Sequence, residues 1–440
     1  MNLDADAVLA LAPDAASAKA ARGLTNASQW PTLGADEQAV WGECQGSGAK
    51  PYQTQVDRNG PVFKCSCPSR KFPCKHGLAL LLLHAQDSAR FTQNTPPAWV
   101  SEWLGARTER AQKKEEKQRQ QASAPADPQA AERHAAKRWA RIADAAQELQ
   151  RWLADQLRRG LGNLGEAQYG DWQTCAARLV DAQAPGLAAR VQTAAALLGA
   201  SEDLPPLLEH LGLLQLACEA IARRDSLDAD AQADLRTLVG WPYDRAEVLA
   251  GATPLADRWI VLAQITEERE RNLQERRVWL HGERSGRRAL VLDHAYAGKG
   301  FEQSFVAGTA FDGALAFYPG AQGLRALTVD APTQAGPAAW PAATLAEERE
   351  RIARRIGACP WTPLHPMVLG AARPDLDGDT FWAVVDGQRV RLQTTDEDRW
   401  ALLALSGAHP VHLCGEWDGQ ALWPLAARGP EGAWIKRSTA

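Results

Sequence analysis

The chain has 440 residues, of which 45% are hydrophobic and 23% charged, the composition of a folded globular protein with room for about two to four domains. A formal net charge of −4 argues against a chain that is basic throughout. The first residues lack the basic stretch and apolar core of a signal peptide, and no apolar run approaches about eighteen residues, so neither secretion nor a membrane span is expected.

Residues 1–24 are Ala-rich, with Leu3, Val8, Leu9 and Leu11 at helical spacing, which predicts a short amphipathic helix. Asn26 to Gly34 reads as a turn-rich connection. Three strands follow: Ala39 to Gln45, Pro51 to Asp57 with Tyr52, Thr54 and Val56 on one face, and Pro61 to Cys65. Asn59-Gly60 between the last two is a strong hairpin signal.

The third strand runs into Cys65-Ser-Cys67-Pro-Ser-Arg-Lys-Phe-Pro-Cys74-Lys-His76. Zinc takes four tetrahedral ligands from Cys sulfur and His nitrogen in a structural site. This stretch supplies Cys65, Cys67, Cys74 and His76. Residues two apart in an extended segment point to one side, so Cys65 and Cys67 aim together from a strand end. In a regular helix the same spacing faces opposite ways, so Cys74 is expected in the turn and His76 at or just before the first helical residue. The other five cysteines are scattered, which fits a reducing cytoplasm.

This pattern resembles the SWIM-type zinc finger, whose ligands run C-x-C-x(n)-C-x-H on a ββα unit. The resemblance covers residues 50 to 90. It implies zinc binding and a role in contacting DNA or other proteins. Trp41 to Gly48 and Ser69 to Cys74 resemble bacterial SWIM proteins often encoded beside MoxR-type AAA ATPases and von Willebrand factor A proteins. Such proteins are the partners that this resemblance implies.

Lys64, Arg70, Lys71 and Lys75 surround the ligands, and Phe72 lies on the loop between them. They either stabilise the thiolates or form a contact patch for phosphate or an acidic protein. Residues 50–76 carry a net +5, as do residues 105–141, which leaves −14 on the rest. A basic end joined to an acidic remainder raises the odds of an anionic partner.

After His76, Leu78 and Leu80 to Leu83 predict a helix buried on more than one side. The zinc hairpin is expected on one side, and the N-terminal helix or Trp99 to Trp103 on another. Residues 105–131 read as a charged linker; its basic tract also suits phosphate. Residues 132–240 show helical periodicity for about five helices, a bundle. Residues 241–440 read as an α+β domain of mainly antiparallel strands. There a helix is expected near 257 to 276. Strands are expected at Arg277 to His281, Arg288 to Asp293, Gln303 to Ala307, Ala314 to Tyr318, Leu324 to Val329, Phe381 to Val385, Val390 to Gln393, 410–416 and 421–426. Helices are expected at Glu347 to Ile356 and 396–405. Asp375 to Asp379 reads as a hairpin turn rather than a calcium loop.

The expected fold class is α+β and multidomain: a zinc-finger domain at 1–104, the linker at 105–131, a helical domain at 132–240 and the C-terminal domain at 241–440. The expected function is zinc binding with a structural Cys3His site in a nucleic-acid-binding module for DNA or RNA. The alternative is a protein-interaction adaptor working with an AAA ATPase and von Willebrand factor A system. No arrangement of catalytic residues stands out, so no enzyme activity is expected.

Overall fold

The computed structural model describes residues 5–9, 11–46, 50–58, 61–69, 71–109, 128–160, 169–198, 204–269, 273–296, 301, 303–429 and 432–436. Two short helices, α1 (Ala5–Leu9) and α2 (Ala15–Arg22), precede an antiparallel sheet of β1 (Thr32–Ala35), β2 (Ala39–Cys44), β3 (Tyr52–Asp57) and β4 (Val62–Cys65), in chain order. β1 occupies part of the stretch expected to be a turn-rich connection. Pairing decides this: Leu33 lies opposite Gly42 of β2 and is buried. The Asn59-Gly60 turn lies outside the described residues.

Alternation along the strands gives the sheet two covered faces. Val40, Val56 and Phe63 are in register on one face and bury against α3 (Lys75–Gln86). Within α3, Leu78 to Leu83 are at most 3% exposed. α1 and α2 close its other side through Val8, Leu9, Ala18 and Ala21. Of the two covers that the sequence offered, the N-terminal helical segment is the one used, and Trp99 to Trp103 does not cover α3. It belongs to α4 (98–109), which packs on the opposite sheet face, where Val100 meets Ala39 and Trp41. α3 already has two covers, and Trp41 needs one.

Most of the expected linker, residues 110–127, lies outside the described residues. α5 (Pro128–Arg159) starts within it, with proline at the first helical position, where a missing N–H costs little. α6 (Tyr169–Asp181), α7 (Pro185–Ala195), α8 (Leu204–Ala222) and α9 (Ala229–Leu238) complete the bundle around Ile142, Leu149, Trp172, Val191 and Leu214.

After α10 (Arg245–Gly251), β5 (Leu255–Arg269), β6 (Leu273–Gly282), β7 (Arg288–Tyr296), β8 (Thr309–Phe317), β9 (Arg325–Thr328) and β10 (Thr333–Pro337) form a six-stranded sheet in the order β10-β8-β5-β6-β7-β9. α11 (Leu345–Ala358) leads to a second six-stranded sheet. It is built from β11 (His365–Asp377), β12 (Thr380–Val385), β13 (Gln388–Arg391), β14 (Val411–Trp417), β15 (Leu422–Gly429) and β16 (Gly432–Ile435), with α12 (Asp396–Ser406) inserted. The two sheets share a core of Ile260, Leu262, Trp279, Val368, Cys414 and Leu425.

The helix expected near 257 to 276 is instead β5 and the start of β6, with residues 270–272 outside the described residues. Trp259 to Ala263 are all buried, so this central strand lacks the alternation that marks a half-exposed one. Its charged end, Glu267 to Arg269, reads as helical in isolation. β11 escaped notice because Pro366 and Pro374 interrupt it. The Asp375 to Asp379 stretch is the β11–β12 hairpin, with Gly378 at φ +60°.

Gln303 to Ala307 is not a strand. Its polar groups bond sideways: Arg276 donates to the Gln303 carbonyl at 2.7 Å, and Ser304 Oγ donates to the Pro61 carbonyl at 2.7 Å. Val306, fully buried, packs into the core beneath α3. The bundle is tied to the sheets as well. Asp234 accepts from the Ala321 N–H at 3.0 Å, and Arg190 donates to the Trp361 carbonyl at 2.6 Å.

Candidate metal centre

β4 ends on Cys65, and Cys67 follows two residues later at a bend. The chain loops through Pro68 to Pro73 and re-enters at Cys74, the extended N-cap of α3 (φ −76°, ψ 163°). Cys74 Sγ accepts from the Gly77 N–H at 3.5 Å. His76 is the second residue of the helix. Gly77 is needed at the next position, because a Cβ there would lie 2.8 Å from the Phe63 ring. That close approach sets the start of α3 against the end of β4 and brings the two ligand pairs together.

One donor atom from each of Cys65, Cys67, Cys74 and His76 lies within 4.8 Å of every other. Cys65 Sγ is 3.9 Å from His76 Nδ1. A tetrahedral zinc ion with Zn–S near 2.3 Å and Zn–N near 2.0 Å separates its donors by about 3.5–3.8 Å, so the group closes on an ion with small adjustments. Among the described residues it is the one cluster of three or more potential metal donors. Cys74 and His76 are buried, while Cys65 and Cys67 are half-buried and lie toward solvent.

The electrostatics also call for a cation. Three thiols in mutual contact cannot all ionise alone. Hydrogen bonds from Cys65 and Cys74 hold the Cys67 thiol far below its usual range. The shared bonds push Cys65 and Cys74 up. Burial opposes charge on His76, but bonds to Cys67 and Cys74 outweigh it and lift its pKa to about 9. A divalent ion supplies the positive charge that lets all three sulfurs be thiolates. Cys44, buried nearby, is raised to about 11 chiefly by burial and remains a neutral thiol.

Two supporting residues were not singled out from sequence. Thr54 lies opposite Cys65 in the β3–β4 register, and its Oγ1 is 3.1 Å from Cys65 Sγ. The Tyr52 ring lies 5.0 Å from the His76 ring, tilted by 39°. Their signal was present in the alternation of β3, which places Tyr52 and Thr54 on the face that carries the metal. Such contacts orient ligands and tune their basicity.

The expected basic ring is divided. Lys64 shares a sheet face with Trp41 and Gln55, away from the thiols. Lys71 Nζ is 2.5 Å from Asp14 Oδ2, and Asp14 also caps α2. Lys75 is exposed on the first turn of α3. Phe72 is 39% exposed and meets Phe63 edge-on at 6.3 Å. Arg70 lies outside the described residues. His409 and His412 do not join Cys414 in a metal-binding group among the described residues.

Residues 64–85 match the family model for the SWIM zinc finger, and residues 137–239 match the model for the SWIM-associated four-helix bundle domain. No curated protein and no solved structure matches the chain. A SWIM zinc finger is a nucleic-acid or protein interaction module. No helix among the described residues is long and apolar enough to cross a membrane. The chain therefore carries a SWIM zinc finger, whose Cys3His group is positioned to hold a metal ion in keeping with zinc, followed by a SWIM-associated four-helix bundle.

Proposed function

We propose that the chain is a non-catalytic adaptor whose zinc-held loop engages a protein partner. Zinc at this site would cross-link the end of β4 to the start of α3. Four protein ligands fill a tetrahedral shell and leave no position for a reactive water. The metal's work is then to fix the shape of the loop.

The observation that carries the adaptor reading is the burial of α3. Its leucines are spent on the sheet and on α1 and α2, so it is not free to lie in a nucleic-acid groove. What remains outward is the loop bearing Phe72, an apolar side chain beside Lys71 and Lys75, which suits a protein surface. An AAA ATPase or a von Willebrand factor A protein is the partner that the family resemblance suggests.

Nucleic-acid binding is the second reading, for DNA or RNA. It is favoured by Lys64 and Lys75, which are exposed and have no ion-pair partner among the described residues. Titrating the purified chain with such a partner protein, and separately with labelled DNA and RNA at low and moderate salt, separates the two. The adaptor reading expects protein binding that survives nuclease and weakens about tenfold or more in Phe72→Ala. Salt-steep nucleic-acid binding that is lost in Lys64→Ala/Lys75→Ala would overturn it.

A further inference from the structure

In the C-terminal half, α11 turns a charged stripe inward. Glu348, Arg351 and Arg355 fall at i, i+3 and i+7 and so share one helix face with the buried Ile352. Glu348 is wholly buried. Its Oε1 accepts from Arg351 Nη1 at 2.6 Å and from Nη2 of Arg288, the first residue of β7, at 2.9 Å. Arg288 lies opposite His281 of β6, and its Nη1 donates to His281 Nδ1. Arg355 feels the charges of Glu348, Arg288 and Arg351, and it acts in turn on His365, the first residue of β11.

This cluster is not satisfied. Arg288 Nε, Glu348 Oε2, Arg355 Nη1 and His365 Nδ1 are buried and have no hydrogen-bond partner among the described residues. Buried polar groups are nearly always bonded, so four such atoms around one carboxylate mark a missing partner. The charge is unbalanced in the same place. Three guanidiniums against one carboxylate leave two positive charges unanswered. The histidines add none at neutral pH: burial, then Arg288 and Arg351, hold His281 at about 4, and burial, then Arg355, hold His365 at about 4. Asp257 also acts on His281, but Arg284 answers it at 3.1 Å. Burial pushes Arg355 down to about 10, with Arg288 and Arg351 adding to it against the pull of Glu348. Buried charge without a counter-ion is costly.

We propose that this cluster binds one phosphate group, free or carried by a larger molecule. Guanidinium forks match phosphate oxygens and bond them with charge assistance. A dianion cancels both excess charges, and the O–H that free hydrogen phosphate keeps can donate to Glu348 Oε2. The Arg351 side chain is 42% exposed and Arg355 is half-buried, so the cluster opens to solvent along α11. This inference concerns α11 and the sheets, and it stands independently of the reading of the zinc loop.

The test is calorimetric titration of the full chain with inorganic phosphate, in buffer free of phosphate and sulfate. Saturable uptake is expected, weakened about tenfold or more in Arg351→Gln/Arg355→Gln. It is expected to be unchanged in Arg354→Gln, whose exposed side chain pairs with Glu350 instead. Arg351→Gln alone, at an exposed position, decides the matter if the double variant fails to fold. A parallel titration with O-phosphoserine separates the sources: tighter uptake of inorganic phosphate assigns the free ion, and tighter uptake of the ester assigns a phosphoryl group on a larger molecule. No saturable uptake at millimolar phosphate, equal affinity in the Arg351/Arg355 variant, or the same loss in Arg354→Gln overturns the proposal, because water would then be what meets the four atoms.

Discussion

In the N-terminal module four metal donors within twelve residues converge on one point, from Cys65 to His76. The two six-stranded sheets are joined differently. Arg277 and Trp279 both bond Glu416, across 139 and 137 positions of sequence. The first region buys order from an ion held by a short segment; the second assembles it from burial and from polar contacts that exist only once distant strands have met. Disturbances of the metal should therefore stay at one end of the molecule, and disturbances of the sheets at the other.

The largest effect should come from Cys74→Ser or from chelation. Structural zinc contributes on the order of 10 kcal/mol to small fingers. Loss of stoichiometric metal is expected, with fast hydrogen exchange in β4 and α3 while the bundle and sheets stay protected. Unchanged metal content in the variant would refute the ligand assignment.

Next is Glu416→Ala. It strands the Trp279 indole N–H between the sheets and takes one of three carboxylate partners from Arg277, which keeps Glu267 and Glu275; losing hydrogen bonds to a charged acceptor costs about 3 kcal/mol. Denaturant melting of the C-terminal strands should shift by that amount with zinc content unaltered.

Acid sharpens the contrast. Burial opposes ionisation of Asp257, but hydrogen bonds from Ser285 and Arg284 outweigh it and hold the carboxyl at about 2. Its contribution is therefore complete above the ordinary carboxylate range near 4 and is lost as pH falls from there through about 2. Asp257→Asn should cost about 2 kcal/mol at neutral pH and little at pH 2. Zinc, whose ligands must be deprotonated, should leave the module at milder acidity than this. Metal content and circular dichroism followed through one acid titration test the order of the two events.

The smallest effect expected is that of Thr54→Val, which removes the oxygen beside Cys65 Sγ. Zinc affinity should fall about tenfold in a chelator competition, with the melting of the sheets unmoved.

The same contrast explains what the sequence disclosed. Ligand spacing is local, so Cys65, Cys67, Cys74 and His76 could be read from twelve consecutive letters. Tyr52 and Thr54 needed a cross-strand register, and only half of that signal, their shared face, is visible in one strand. β5 was misread because burial on both faces removes the alternation that marks a strand. Gln303 to Ala307 was misread because Ser304 bonds the Pro61 carbonyl and Val306 enters the core under α3, rather than pairing with a neighbouring strand.

The Val306 contact has a consequence for how the molecule is made. Its neighbour Ser304 reaches Pro61 across 243 positions. At about 5–20 residues per second, a ribosome needs roughly 12–50 s to travel that far. Throughout that interval the nascent finger exposes the apolar notch that Val306 will later plug. A shortened version ending before that residue would keep the notch open for good, and it should be stickier than the intact chain even when fully charged with metal.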